Sequence, residues 1–382
     1  MTRHGLEEYV SDCVIVLDNR IAEQISTRRL RIAKYRGSTH GTNEYPFMID
    51  EDGISILPIT SLGLSQSVSC ERIGTGIPGL DQMLGGQGYY RGSSILVSGT
   101  AGSGKSSIAA HFAEAACQRG ERVLYFAFEE SPSQIMRNML SIGIALDPWV
   151  QKGLLQFHAN RPSLAGLEMH LTMTHKALTL FKPQVVIMDP LNSFSNIGKE
   201  SEVHAMLAQL IDLLKTKQIT GLFSSLIFGS NTVEQSEIGI SSLIDSWLLV
   251  KNIDSGGERN RILYLLKSRG IAHSNQIREF LITDKGVDLC EVYVGKNGVL
   301  TGSARLAQES QDRAAELARA HESESRRLAL ERKRRTLTKR IAFIQDELEA
   351  HNAKTLKIEL ENKERDAQSA QSHSDMLLSR RA

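Results

Sequence analysis

The stretch GTAGSGKS, Gly99–Ser106, fits the pattern GxxxxGK[ST] at every fixed position, and its flanks decide what it means. Before it runs SSILVSG, an apolar segment of strand length; after it runs SSIAAHFAEAACQ, with the apolar spacing of a helix. A strand, a glycine-rich turn and a helix N-terminus in that order wrap backbone N–H groups and positive potential around phosphate oxygens. The loop residues Gly99, Thr100, Ala101, Gly102, Ser103, Gly104, Lys105, Ser106 and Ser107 are therefore the candidate nucleotide-binding residues. Lys105 is expected on the β- and γ-phosphates of ATP, and the Ser106 hydroxyl on Mg2+.

From Gly74 to about Val294, the apolar segments SSILVSG, RVLYFAF, VVIMD, GLFSSLI, DSWLLV and RILYLL alternate with helical stretches such as EVHAMLAQLIDLLKT. That alternation predicts an α/β fold with a mainly parallel sheet, whose ligands sit at the C-terminal strand ends. Two strands deliver carboxylates there. VVIMD ends in Asp189, a candidate metal ligand, and FAFEE ends in Glu129 and Glu130. One of that pair is expected to polarise a water or hydroxyl for attack on the γ-phosphate, with Glu129 also on the metal side.

The chain also repeats itself. KYRGSTH (34–40) returns as KSRGIAH (267–273), 233 positions later, and the same offset aligns Asp12 with Asp245, Arg28 with Arg261, Phe47 with Phe280 and Gly53 with Gly286. A repeat of this length points to duplication of a domain rather than to solenoid units of 20–50 residues. Residues 1–57 read as the strands DCVIVL, RLRIAKY and GISIL, the end of a first module that lacks a phosphate loop. Residues 58–73 are Ser-rich and read as a linker, and residues 74–294 read as a complete second module.

Residues 303–382 have another character: no Gly or Pro, one aromatic (Phe343), and much Arg, Glu, Ala and Leu. Leu330, Leu337, Ile341, Ile344, Leu348 and Ile358 fall on a and d positions of a heptad, interrupted by Arg334, His351 and Thr355. A long helix with coiled-coil character is expected. Arg326–Arg340 carries eight Lys/Arg against the single acid Glu331, either a solvated face or a contact for nucleic acid or another partner. The whole chain is near neutral at +1, with 41% hydrophobic residues, no signal-peptide core at its start, and four widely spaced cysteines. These features suggest a cytoplasmic protein with reduced thiols and no membrane partner.

GIPGLDQMLGGQGYYRGSSILVSGTAGSGKSS, FAFEESPSQIMRNML, FKPQVVIMDPLNSF, ITGLF and KSRGIAHSNQIREFLITDKG together resemble the circadian clock ATPases of the KaiC family. GLEEYVSDCVIVL, KYRGSTH and NEYPFMIDEDGI resemble the end of that family's first module, so the likeness spans roughly residues 1–295. It implies a RecA-like P-loop ATPase fold, two such modules in tandem in the full-length family, and ring hexamers with ATP between subunits. It further implies a Ser/Thr autokinase using ATP and Mg2+. In the family, the Lys-x-Arg strand reaches the phosphates held by the neighbouring subunit; here that assigns Lys267 and Arg269 to catalysis, and Arg261, Ser268 and His273 to the nucleotide from the same strand region. Ser241 and Ser242 correspond to the phosphoacceptors, with Glu8 and Tyr9 at the same offset in the first copy. The tail has no likeness to the family's short C-terminal segment, so it is expected to bind a signalling protein or other partner, and a separate first module is a further candidate.

Two other functional classes fit parts of the sequence. A DNA-binding RecA-like ATPase would use the basic 326–340 stretch, although no nucleic-acid-binding loop or fold is recognisable, and nucleic acid is not the expected partner. An ATP-gated scaffold would recruit a signalling protein through the coiled coil.

Overall fold

The computed structural model describes residues 6–22, 25–51, 53–56, 68–195, 197–227, 240–255, 257–295 and 298–379. They fall into two units, Met1–Arg305 and Leu306–Ala382. The first unit opens with helix α1 (Leu6–Val10) and strands β1 (Cys13–Ala22), β2 (Ile25–Tyr35), β3 (Tyr45–Asp50) and β4 (Gly53–Ile56). Strands β1 to β4 form an antiparallel sheet in chain order.

A short ribbon pairs β5 (Arg72–Ile73) with β6 (Tyr89–Tyr90) around helix α2 (Pro78–Met83). Arg72 and Ile73, assigned above to the linker, are thus already part of regular structure, whereas Leu57–Ser67 lie outside the described residues. The main sheet follows: β7 (Ser94–Gly99), α3 (Lys105–Gln118), β8 (Val123–Ala127), α4 (Pro132–Leu140), α5 (Asp147–Gln151), β9 (Leu155–Ala159), α6 (Leu167–Phe181), β10 (Val185–Asp189), α7 (Glu200–Thr216), β11 (Thr220–Leu226), β12 (Ser246–Ser255), β13 (Glu258–Ser268), β14 (Arg278–Thr283) and β15 (Gly286–Glu291). Its strand order is β15-β14-β13-β12-β7-β11-β10-β8-β9. The six strands from β12 to β9 run parallel, and β13 to β15 extend the sheet antiparallel. The expected mainly parallel P-loop fold is therefore present.

The parallel strands read as continuous apolar runs because helices cover both faces. On one face α3 buries Ile108, Ala109, Phe112 and Ala116 against Ile95, Val97, Tyr125 and Ile187. On the other, α6 and α7 bury Leu171, Leu207, Leu210 and Leu214 against Leu96, Leu124, Val186 and Phe223. A last ribbon, β16 (Tyr293–Gly295) and β17 (Gly298–Leu300), precedes helix α8 (Gly302–Ser379), which accounts for the tail. No helix among the described residues is long and apolar enough to cross a membrane.

The repeat read from sequence is a repeat of register. Hairpin β1/β2 pairs Cys13 with Tyr35 and Ala22 with Ile25; hairpin β12/β13 pairs Ser246 with Ser268 and Ser255 with Glu258, each 233 positions on. Both carry the same irregularity, between Val14 and Ile15 and between Trp247 and Leu248. Burial separates the copies. Leu248 and Val250 are fully buried because β12 also pairs with β7, whereas their counterparts Ile15 and Leu17 are each 55% exposed on a strand that pairs only with β2 among the described residues.

Candidate nucleotide site

Strand β7 ends at Gly99, and the loop turns into α3 through Gly102 (φ 71°) and Gly104 (φ 99°). Left-handed backbone of this kind favours glycine, and a Cβ on Gly104 would also meet Phe280 Cε1 at 2.6 Å. Lys105, the first residue of α3, is 7% exposed, and its ammonium donates to the carbonyls of Gly99 at 3.0 Å and Thr100 at 2.8 Å. Burial lowers its pKa, opposed by the negative charges of Asp189 and Glu129, so both carboxylates act on this ammonium. Asn252 Nδ2 donates to Thr100 Oγ1 at 3.2 Å, and Arg261 Nε to Gly102 O at 3.4 Å, so Arg261 stands at its own chain's loop. The Ser103 hydroxyl is buried without a hydrogen-bond partner among the described residues. Ser106 is half-buried on the first turn, Ser107 is buried behind it, and Ala101 is exposed.

Asp189 sits two strands from β7, at the end of β10, where Tyr125 Oη donates to its Oδ2 at 2.8 Å and Ser224 Oγ to its Oδ1. The buried Tyr125 phenol is driven well above its ordinary pKa by burial and by Asp189, so it remains a donor to that carboxylate. The adjacent acids part company. Glu129 Oε1 accepts from Ser193 Oγ at 3.4 Å on the Asp189 side, whereas Glu130 Oε2 accepts from Asn138 Nδ2 at 3.2 Å on α4.

The Lys-x-Arg pair lies elsewhere. Lys267 is opposite Trp247, itself opposite Leu96, and Asp245 N donates to Ser94 O, so this group gathers at the N-terminal end of β7. Lys267 Nζ donates to Ser241 O at 2.9 Å and Arg269 Nη2 to Ser242 O at 2.7 Å. The first copy makes the same clamp: Lys34 Nζ to Glu8 O at 2.8 Å, and Arg36 Nη2 to Tyr9 O at 3.2 Å. Ser241, Ser242, Lys267 and Arg269 thus meet away from their own phosphate loop: Arg269 bonds to Asp245 beside Ser94, five residue steps or about 16 Å along β7 from Gly99, and Lys267 stands level with Leu96, three steps or about 10 Å from it.

Comparison with known proteins bears on the same regions. The family model described as "ATPase: KaiC" matches residues 1–61 and 73–293. The chain belongs to the KaiC family. It is 50% identical over 366 residues to the circadian clock protein KaiC2 of Synechocystis sp., covering 95% of this chain and 64% of that one. It is 36% identical over 322 residues to the circadian clock oscillator protein KaiC of Thermosynechococcus vestitus, covering 84% and 61%. Against the KaiC of Synechococcus elongatus it is 34% identical over 306 residues, covering 79% and 58%. The chain therefore spans less than two thirds of the length of each of these relatives.

The remaining residues of this KaiC chain that sequence singled out are more scattered. Ser268 is buried, with its hydroxyl 3.0 Å from that of Ser246, which makes it part of the hairpin rather than of an open surface. His273 is exposed, its Nδ1 3.2 Å from Ile271 O, just before Ser274 N donates to Met83 O. An apolar cavity of about 280 Å3 opens behind Phe128, between Phe126, His158, His170, Phe194 and Met48, away from the phosphate loop. Sequence reasoning passed over Tyr125, Ser224, Asn192 and Asn252. Asn192 bridges the ends of β10 and β11 by accepting from Leu226 N at 2.5 Å and donating to Leu226 O at 3.1 Å. Only their places beside the loop and strand ends mark these four as supports.

Proposed function

We propose that this chain is an ATP-hydrolysing Ser/Thr autokinase that works across the subunit interfaces of a ring of its own copies. The residues fit a magnesium nucleotide: a loop with left-handed glycines, a buried ammonium held by loop carbonyls, a Ser103 hydroxyl without a partner among the described residues, and a half-buried Ser106. Asp189 takes one donor on each oxygen and keeps lone pairs for a hydrated cation, which suits Mg2+ with its few protein ligands. Bound there, Mg2+ would neutralise charge on the phosphate oxygens.

In this reading Lys105 exchanges its loop carbonyls for phosphate oxygens, with Ser106 and Asp189 on the metal. Glu129, with Ser193 orienting it, takes the proton of the attacking hydroxyl, while Glu130 is turned toward α4 and plays the lesser part. The Oγ of Ser241 or Ser242 forms a bond to the γ-phosphorus as the bond to the ADP oxygen breaks, and the hydroxyl proton passes to Glu129. The observation that carries the trans arrangement is the separation along β7. Ser241 is held toward the end of β7 away from its own phosphate loop, which supports a reading in which acceptor and clamp face a neighbour's loop. Lys267 and Arg269 then bring their charge to that neighbour's phosphates, with Arg261 on its own loop, Ser268 fixing the strand, and His273 at the rim of the same face. Residues 1–57 are the end of a first module, whose clamp carries Glu8 and Tyr9 in place of hydroxyl pairs.

Mixing variants tests this. Lys105→Ala subunits and Lys267→Ala/Arg269→Ala subunits, each inactive alone, regain phosphorylation when mixed, read by intact mass after incubation with Mg-ATP. Native mass spectrometry checks co-assembly first. Co-assembly without any rescue refutes the trans site.

A further inference from the structure

Helix α8 presents a seam with an unusual distribution of charge. It is 78 residues long, and every residue from Gln311 to His373 is exposed. Helices of that length in water owe their stability to packing of an apolar stripe rather than to propensity. The stripe here puts Arg334, Ile341, Leu348 and Thr355 at a, and Leu330, Leu337, Ile344, His351 and Ile358 at d. Charge is divided along it. Residues 326–340 hold eight basic groups and one acid, while residues 345–359 hold Asp346, Glu347, Glu349 and Glu359 against Lys354 and Lys357.

We propose that this seam binds the same seam of a second copy, antiparallel, about an axis between Ile341 and Ile344. In that register Ile341 packs on Ile344 of the second copy, Leu337 on Leu348, Leu330 on Thr355, and Arg334 meets His351. The basic segment of each helix then lies along the acidic segment of the other. Among flanking positions, Arg340 falls beside Glu347 and Arg326 beside Glu361, with Lys333 beside Lys354 and Glu324 beside Glu359 as the opposing pairs. A parallel in-register pair would instead set the basic segment against itself and Arg334 against Arg334 across the core. A parallel pair would match Arg326 with Glu331 and Lys354 with Glu359 at its flanks, so the direction is decided by Arg334 against Arg334 in its core and by the basic segment lying along itself. The two Gly302 ends consequently lie at opposite ends of the pair.

The test uses the full chain without nucleotide, with the accessible thiols removed (Cys13→Ser, Cys70→Ser, Cys290→Ser) and a spin label on Ala353→Cys; Cys117 is buried. The antiparallel register puts the labels about 30 Å apart along the axis, from a rise of about 1.5 Å per residue. A parallel pair brings them to within roughly 20 Å, given interaxial distances near 10 Å, and overturns the proposal. A charge swap adds an independent arm. Arg340→Glu should weaken self-association about tenfold, because two symmetric pairs become repulsive, and adding Glu347→Arg should restore it. A swap without effect, or one that the second change does not rescue, overturns the register. So does absence of dipolar coupling combined with salt-sensitive retention of a DNA oligonucleotide, which would give the basic segment to an anionic partner instead.

Discussion

Replacing Asp245 by alanine is the sharpest test of how the Ser241–Ser242 segment is held, because the chain carries its own control in Asp12. The Asp245 carboxylate accepts from Ser94 N–H at 2.9 Å and Ser94 Oγ at 2.8 Å, pairs with Lys215 Nζ at 2.9 Å, and lies 3.7 Å from Arg269. Its side chain is 20% exposed and that of Lys215 23%, which puts the pair between a surface contact and a buried one. A surface pair contributes about 0–1 kcal/mol, and breaking a buried one costs about 3–5 kcal/mol. Alanine also leaves the Ser94 N–H, on a residue 3% exposed, without its acceptor, and hydrogen bonds to charged groups are worth about 1.5–3 kcal/mol. A loss of about 3 kcal/mol is expected. Asp12→Ala removes the matching pair with Arg36 (3.4 Å), but those side chains are 83% and 57% exposed. It should cost less than about 1 kcal/mol.

Urea unfolding followed by tryptophan fluorescence reads this directly, since Trp247 lies two residues from Asp245 and donates from Nε1 to Ser98 Oγ at 2.7 Å. The pH dependence has a defined sign. Burial raises the Asp245 pKa, but the hydrogen bond from Ser94 N–H and the Lys215 pair outweigh it and hold it below its ordinary value. The contribution is therefore full above the unfolded pKa of about 3.9 and is lost as pH falls through the folded value. Equal, small shifts for Asp245→Ala and Asp12→Ala would refute the argument from burial.

Glu129→Gln should keep nucleotide affinity by calorimetry yet lose phosphorylation by roughly 10²–10⁴-fold, while Glu130→Gln loses much less; the reverse order would reassign the base. His111 accepts from Val287 N–H at 2.7 Å, and burial lowers its pKa. The unfolded chain takes up the proton first below about pH 6.5, so stability should fall from neutral pH toward 5, less steeply in His111→Gln, as denaturation midpoints at the two pH values will show. Exchanging the acceptor pair for its first-copy counterpart, Ser241→Glu/Ser242→Tyr, should abolish the mass increase on Mg-ATP while leaving the unfolding midpoint nearly unchanged; a large destabilisation would mean that these side chains help hold the fold.

How much of this was readable in the sequence follows the range of each interaction. The phosphate loop, Asp189 and the carboxylates after β8 are set by patterns within about ten residues, and all fall at strand ends near one another. The clamp was visible as a repeated heptapeptide, but its distance from its own loop was not, because that depends on β12 pairing with β7 rather than on spacing along the chain. The division of labour between Glu129 and Glu130 depends on Ser193 and Asn138, which are remote or bonded through space. Tyr125 and Ser224 looked like ordinary strand residues. The tail's heptads were legible as a period, whereas the direction of pairing appears only when the charges are laid along the seam.

The two clamps also explain how one backbone design tolerates different chemistry. In both copies the lysine and arginine donate to main-chain carbonyls, of Ser241 and Ser242 in one and of Glu8 and Tyr9 in the other. A carbonyl is present whatever the side chain, so the clamp fixes the turn without specifying residues there. Position is thereby separated from reactivity: the hairpin and its aspartate set where the segment stands, and the residue type decides what it can accept. Burial and then the neighbouring Arg269 charge lower the Lys267 pKa, opposed by Asp245. In the proposed trans site, a neighbour's phosphate would compete with the Ser241 carbonyl for this ammonium.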